Sequence, residues 1–137
     1  MYEALLQAYR ETEYRVFNDS HIVLLIDQFN KASDALLVDR DVTTAAFITA
    51  WNPHSKPVSK SENYIAQARL QSEVMSLGLD YLPGEGVCCD GIWSPEPSLL
   101  VLGISFDRAA KLSKTFKQNA FVWLTLGKGP ELVMRHA

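Results

Sequence analysis

The chain has 137 residues, 47% hydrophobic and 21% charged, and its 13 Lys and Arg against 16 Asp and Glu leave a net charge of −3. That composition supports a folded core without disulfides or a structural metal and excludes disorder as the main state. An acidic chain with no basic block is not expected to bind nucleic acid, and no apolar run reaches the roughly 18 residues of a membrane span.

The stretch MYEALLQAYRETEYR is broken by charges and lacks a signal-peptide core, so a cytoplasmic protein is expected. With no internal repeat or low-complexity tract, residues 1–137 read as one domain. Cys88 and Cys89 are adjacent. A disulfide between neighbours would staple nothing distant, so the plain reading is one buried thiol and one near the surface.

Residues 2–10 place Leu5, Leu6 and Tyr9 on one helical face. Residues 13–17 alternate polar and apolar, Asn18-Asp19-Ser20 is turn chemistry, and residues 21–27 are rich in β-formers. A hairpin is predicted there, against the rival of one helix running from Tyr2 through Phe17. Residues 30–38 read as a short helix. Residues 44–51 (TAAFITAW) are a nearly continuous apolar strand, and two prolines make residues 52–57 a loop. Ser59-x-x-Glu62 fits a capping box, with Ser61 as the other candidate cap. The helix that follows, 61–77, carries Ala66, Leu70, Val74 and Leu77 as its buried stripe, and Gly78 suits its end.

Residues 79–89 read as a strand broken at Pro83-Gly84, and residues 90–97 as a loop. Residues 98–104 (SLLVLGI) form a buried strand. Residues 106–117 form a helix with Phe106, Ala109, Leu112 or Ser113, and Phe116 facing inward. Residues 119–126 (NAFVWLTL) form another buried strand, and a short strand, 131–134, ends the pattern. The order over residues 44–126 is β-α-β-β-α-β. This predicts an α+β fold with a ferredoxin-like split βαβ core, preceded by an amino-terminal helix and β-hairpin. Three strands apolar on both faces need cover on the second face, from the amino-terminal segment or from a second copy in a homodimer.

That topology has a chemical consequence. The ends of strands 44–51 and 79–89 and the starts of strands 98–104 and 119–126 fall at one sheet edge, together with the start of helix 61–77. Ser55 comes to that edge with the polar and aromatic candidates Asn52, His54, Asn63, Asp90, Trp93, Glu96, Gln118 and Asn119. A helix start offers free N–H groups and a partial positive charge. Amides beside it can orient a polar ligand, and Trp51 or Trp93 can wall it.

These residues admit several chemistries. Gly84-x-Gly86 does not lie between a strand and a helix, so it is no nucleotide loop and reads as a bend. No cofactor is predicted. A divalent ion could be held by His54 with Asp90 and Glu96 if the edge forms as predicted. A small polar ligand at the edge, in a binding or sensor domain, is the leading expectation. A protein-interaction module anchored by Trp51, Trp93 and the prolines is the alternative. A hydrolase-like or metal-dependent enzyme using Asp90 and Glu96 is third.

Together, AFITAWNP (residues 46–53), Glu62-Asn63, Asp90 with Trp93, Pro95-Glu96-Pro97-Ser98 and Gln118-Asn119-Ala120 resemble a bacterial family catalogued only as domain of unknown function 3293. The likeness covers most of the chain and is firmest over residues 46–123. It implies a bacterial protein with its site at these motifs and brings no activity, substrate or catalytic residue. Cys88-Cys89 is not part of it.

Overall fold

The structure is a computed structural model that describes residues 2–19, 21–88 and 94–134. It is a mixed α+β fold. Among the described residues are four helices: α1 (Tyr2–Glu11), α2 (Lys31–Asp39), α3 (Lys60–Ser76) and α4 (Phe106–Thr115). The strands are β1 (Glu13–Phe17), β2 (His21–Leu24), β3 (Thr44–Ile48), β4 (Tyr81–Val87), β5 (Glu96–Leu102), β6 (Ala120–Thr125) and β7 (Glu131–Met134). They form one sheet in the order β2-β1-β4-β5-β3-β6-β7, with every pairing antiparallel. No described helix is long and apolar enough to cross a membrane.

Strand alternation sorts the side chains into two cores. Ala46, Ile48, Leu99, Val101 and Phe121 project to one face, where they meet Leu70 and Val74 of α3 and Ala109, Leu112 and Phe116 of α4. Ala45, Phe47, Leu100, Leu102, Val122 and Leu124 project to the other face. There they meet Tyr14 and Val16 of β1, Ile22 and Leu24 of β2, and Leu36 and Leu37 of α2.

The hairpin is therefore cover, but it provides it by joining the sheet, which then curls. In a flat sheet β1 and β3 would lie about 14 Å apart, three strand spacings. The rings of Tyr14 and Phe47 instead meet edge to face at 5.3 Å. The curl brings the two ends of the sheet together: Asp27 N, just beyond β2, donates to Pro130 O, just before β7, at 2.8 Å. The rival of one long helix through Phe17 is excluded, because Thr12 separates α1 from β1.

Local rules explain most boundaries. Ser59 is the cap of α3: its hydroxyl accepts from Glu62 N at 3.1 Å and bonds the Glu62 carboxyl at 3.0 Å. Asn30 caps α2 and Ser105 caps α4 in the same way. Four expectations are corrected. β4 runs unbroken through Pro83 and Gly84, because Gly84 fits where a Cβ would overlap the Arg15 carbonyl oxygen of β1 and approach the Phe47 ring to 3.0 Å. β5 begins at Glu96, two residues earlier than predicted, with Pro97 opposite Glu85 of β4 and beyond the stretch paired with β3. Phe106 is exposed, its ring laid edge to face on Trp123 at 5.4 Å rather than buried under α4. Cys88 is buried but is not a free thiol; Cys89 lies outside the described residues.

Candidate functional site

β3 and β4 end, and β5 and β6 begin, at one end of the sheet, and the chain from residue 49 to residue 59 crosses that end before entering α3. This crossing is held by side chains. Thr49 Oγ1 donates to Pro97 O at 2.7 Å and accepts from Trp51 N at 3.0 Å. Ala50 N donates to Gln67 Oε1 of α3 at 3.0 Å. Trp51 is 8% exposed and packs edge to face on Tyr64 at 5.1 Å.

Asn52 and Asn63 then lock the turn. Asn52 adopts a left-handed conformation, φ 47° and ψ 70°. Its backbone N–H donates to Asn63 Oδ1 at 2.7 Å, while Asn63 Nδ2 donates back to Asn52 Oδ1 at 2.8 Å. Asn63 is 2% exposed and occupies the core-facing row of α3 above Leu70 and Val74. A buried amide on that row is satisfied because Asn52 uses both of its ends. His54 and Ser55 also have positive φ, 58° and 59°. Three non-glycine residues in this conformation within four positions concentrate backbone strain that the surrounding bonds must hold.

The strained turn aims Ser55 at two distant elements. Its hydroxyl lies 2.9 Å from Tyr9 Oη of α1 and accepts from Asn119 Nδ2 at 2.9 Å. Asn52 Nδ2 points toward Glu96 Oε2 at 3.4 Å. Below these groups lies a cavity of about 360 Å³ between α1 and the inner face of the sheet. Leu5, Phe47, Trp51, Val122 and Leu132 supply much of its apolar wall, and Tyr9, Thr12, Tyr14, Asn52, Ser55 and Glu96 much of its polar lining. Burial pushes the Glu96 carboxyl above its ordinary range, with the Asn52 amide opposing the rise. Burial likewise raises the Tyr9 and Tyr14 phenols, so both stay neutral at physiological pH.

The sequence-predicted residues separate into groups. Asn52, Glu96 and Gln118 line the cavity. Gln118 is buried and fixes the crossing chain, donating to Trp51 O at 3.3 Å and Phe116 O at 3.1 Å. Asn63 and Asn119 stand behind the lining and hold Asn52 and Ser55. His54 is brought to the same edge, but its side chain is exposed and does not line the cavity; its backbone N–H bonds Lys117 O at 2.7 Å. Asp90 and Trp93 lie outside the described residues. Among those described, no three His, Cys, Asp or Glu side chains gather as a metal cluster. Tyr9 and Tyr14 were missed. The available signal was a tyrosine at position 9, where the apolar face of α1 needed only a leucine.

Residues 48–121, more than half of the chain, match the family described as "Protein of unknown function (DUF3293)". The chain belongs to this family. The DUF3293 match includes Asn52, Ser55, Asn63, Glu96, Gln118 and Asn119, whereas Tyr9 and Tyr14, which close the cavity from the amino-terminal side, precede it. No curated protein and no solved structure is significantly similar to the chain.

Proposed function

We propose that this DUF3293 member is a small-molecule-binding domain whose ligand occupies the cavity under α1. One observation carries the reading: a concave, largely aromatic and aliphatic cavity of about 360 Å³ with a few polar groups converging on it from α1, the 52–55 turn and β5. Binding sites for small molecules have this build. A protein-interaction module would present Trp51 or Trp93 to solvent; Trp51 is buried against Tyr64, which favours the pocket, and Trp93 lies outside the described residues. We also propose that residues 44–126 are a ferredoxin-like split βαβ unit; the strand order β4-β5-β3-β6 and the seating of α3 and α4 on one face support it.

Gly86 supplies the test. It lines the cavity inside β4, and a Cβ there meets Thr12 Cγ2 at 3.6 Å, an ordinary contact. Gly86→Val adds a β-branched side chain that suits a strand and fills the cavity. Mixtures of small metabolites are screened by ligand-detected NMR against the wild-type chain and Gly86→Val. A compound that binds the first and not the second, with both folded, is expected. Hits that bind both equally would overturn the proposal, as would no hit at all.

A further inference from the structure

The polar lining of the cavity is weighted toward acceptors. Each hydroxyl owns a single proton, and most of those protons are committed to backbone carbonyls. Tyr14 Oη donates to Tyr9 O at 2.7 Å, Thr12 Oγ1 to Ala8 O at 2.6 Å, Thr49 Oγ1 to Pro97 O at 2.7 Å, and Ser98 Oγ to Glu96 O at 2.9 Å. The Gln118 amide is committed to Trp51 and Phe116 carbonyls. Ser55 Oγ takes the Asn119 amide, and of the two protons that Ser55 and Tyr9 own, one lies in the bond between them and one is left over. Among the described residues, no Lys, Arg or His lines the cavity.

Apart from that leftover hydroxyl proton, the Asn52 amide and the Ser94 hydroxyl, the polar groups left facing the cavity are acceptors: hydroxyl lone pairs and the Glu96 carboxylate. Among the described residues that carboxylate receives one hydrogen bond, the long 3.4 Å contact from Asn52 Nδ2. A partly buried carboxylate so thinly solvated favours a ligand that brings charge and donors together. An anion would meet Glu96 with no cation to offset it. An alcohol would satisfy one acceptor and leave the charge. A protonated primary amine offers three donors on one positive nitrogen, and the rings of Tyr9, Tyr14, Phe47 and Trp51 suit a cation on a hydrocarbon body.

We propose that the ligand is a small organic ammonium, a protonated primary amine on an apolar or aromatic body, with Glu96 as its counter-ion. This rests on the cavity being a ligand site and names the ligand's chemistry. The other titratable groups on the described lining, Tyr9 and Tyr14, are neutral phenols and do not compete for the charge.

Three probes of matched shape test it: 2-phenylethylamine, 2-phenylethanol and 3-phenylpropanoate. Each is titrated into the full chain at neutral pH and followed by backbone amide NMR. The amine is expected to bind at least about tenfold more tightly than the alcohol, a difference of about 1.4 kcal/mol, and the carboxylate not to saturate. In Glu96→Gln the amine should lose that advantage while the alcohol is unchanged. In Gly86→Val neither should bind. Alcohol or carboxylate binding as tightly as the amine, with shifts at cavity residues that Gly86→Val abolishes, overturns the ammonium assignment and leaves the site standing. No saturable shift with any probe also overturns the assignment, and the metabolite screen with Gly86→Val then judges the site separately.

Discussion

Asn63 shows how one side chain can matter more than its place in a pattern. On α3 it sits where a leucine would complete the apolar stripe, yet both ends of its amide hold Asn52. Asn63→Leu should therefore destabilise the fold, although it adds apolar surface to a buried row. It leaves the Asn52 N–H without its partner, and Oδ1 with only the 3.3 Å bond from Val58 N, in a left-handed turn, which costs about 1–3 kcal/mol. Urea unfolding checks this, and a variant as stable as wild type would remove the lock from the explanation. Glu96 carries a second expectation. Burial raises its folded pKa above the ordinary 4.5, so the folded state holds the proton more tightly than the unfolded chain. Stability from this group is complete below the ordinary value and is lost as pH rises through the raised one. Glu96→Gln removes that loss. The variant should gain Tm relative to wild type as pH rises from near 4.5 toward neutrality, in the absence of ligand. Parallel Tm curves for the two proteins would show that Glu96 titrates as it does in water.

Gly84 gives the sharpest expectation for a whole element. Its missing side chain lets β4 lie against the Arg15 carbonyl of β1, so Gly84→Ala should force the strands apart and cost about 1–3 kcal/mol, whereas Gly86→Ala, two residues on, meets only an ordinary contact and should be tolerated. Equal unfolding midpoints for the two variants would mean that the close approach is not needed. The same strand marks the limit of what the sequence reveals. Periodicity and caps located the four helices and seven strands, to within a few residues at most ends, because those signals are local. Pro83-Gly84 reads as a break by the same local rules, and only the neighbouring strand explains why it is not one. β5 likewise takes in Glu96 and Pro97, since Thr49 holds Pro97 O from outside the ladder. The polar edge was legible because topology alone brings Asn52, Glu96, Gln118 and Asn119 to one end. Tyr9 was not, because nothing local says that α1 folds back over that end.

The curl of the sheet turns these parts into a cavity. A flat seven-stranded sheet would leave β1 far from β3 and no space enclosed between them. The 5.3 Å meeting of Tyr14 with Phe47 and the Asp27–Pro130 backbone bond show the inner face closing on itself, and α1 covers one end of the space so formed. The outer side of the molecule offers a different surface, where Tyr64, Ile65 and Met75 of α3 are exposed. Mapping backbone amide shifts in the full chain, as a compound found in the metabolite screen is added, separates the two. Shifts concentrated at Tyr9, Thr12, Asn52, Ser55, Glu96 and Gln118 are expected, saturating with one affinity. Shifts confined to the exposed face of α3, with those cavity residues unmoved, would mean that the molecule works through its surface and that the cavity is a by-product of the curl.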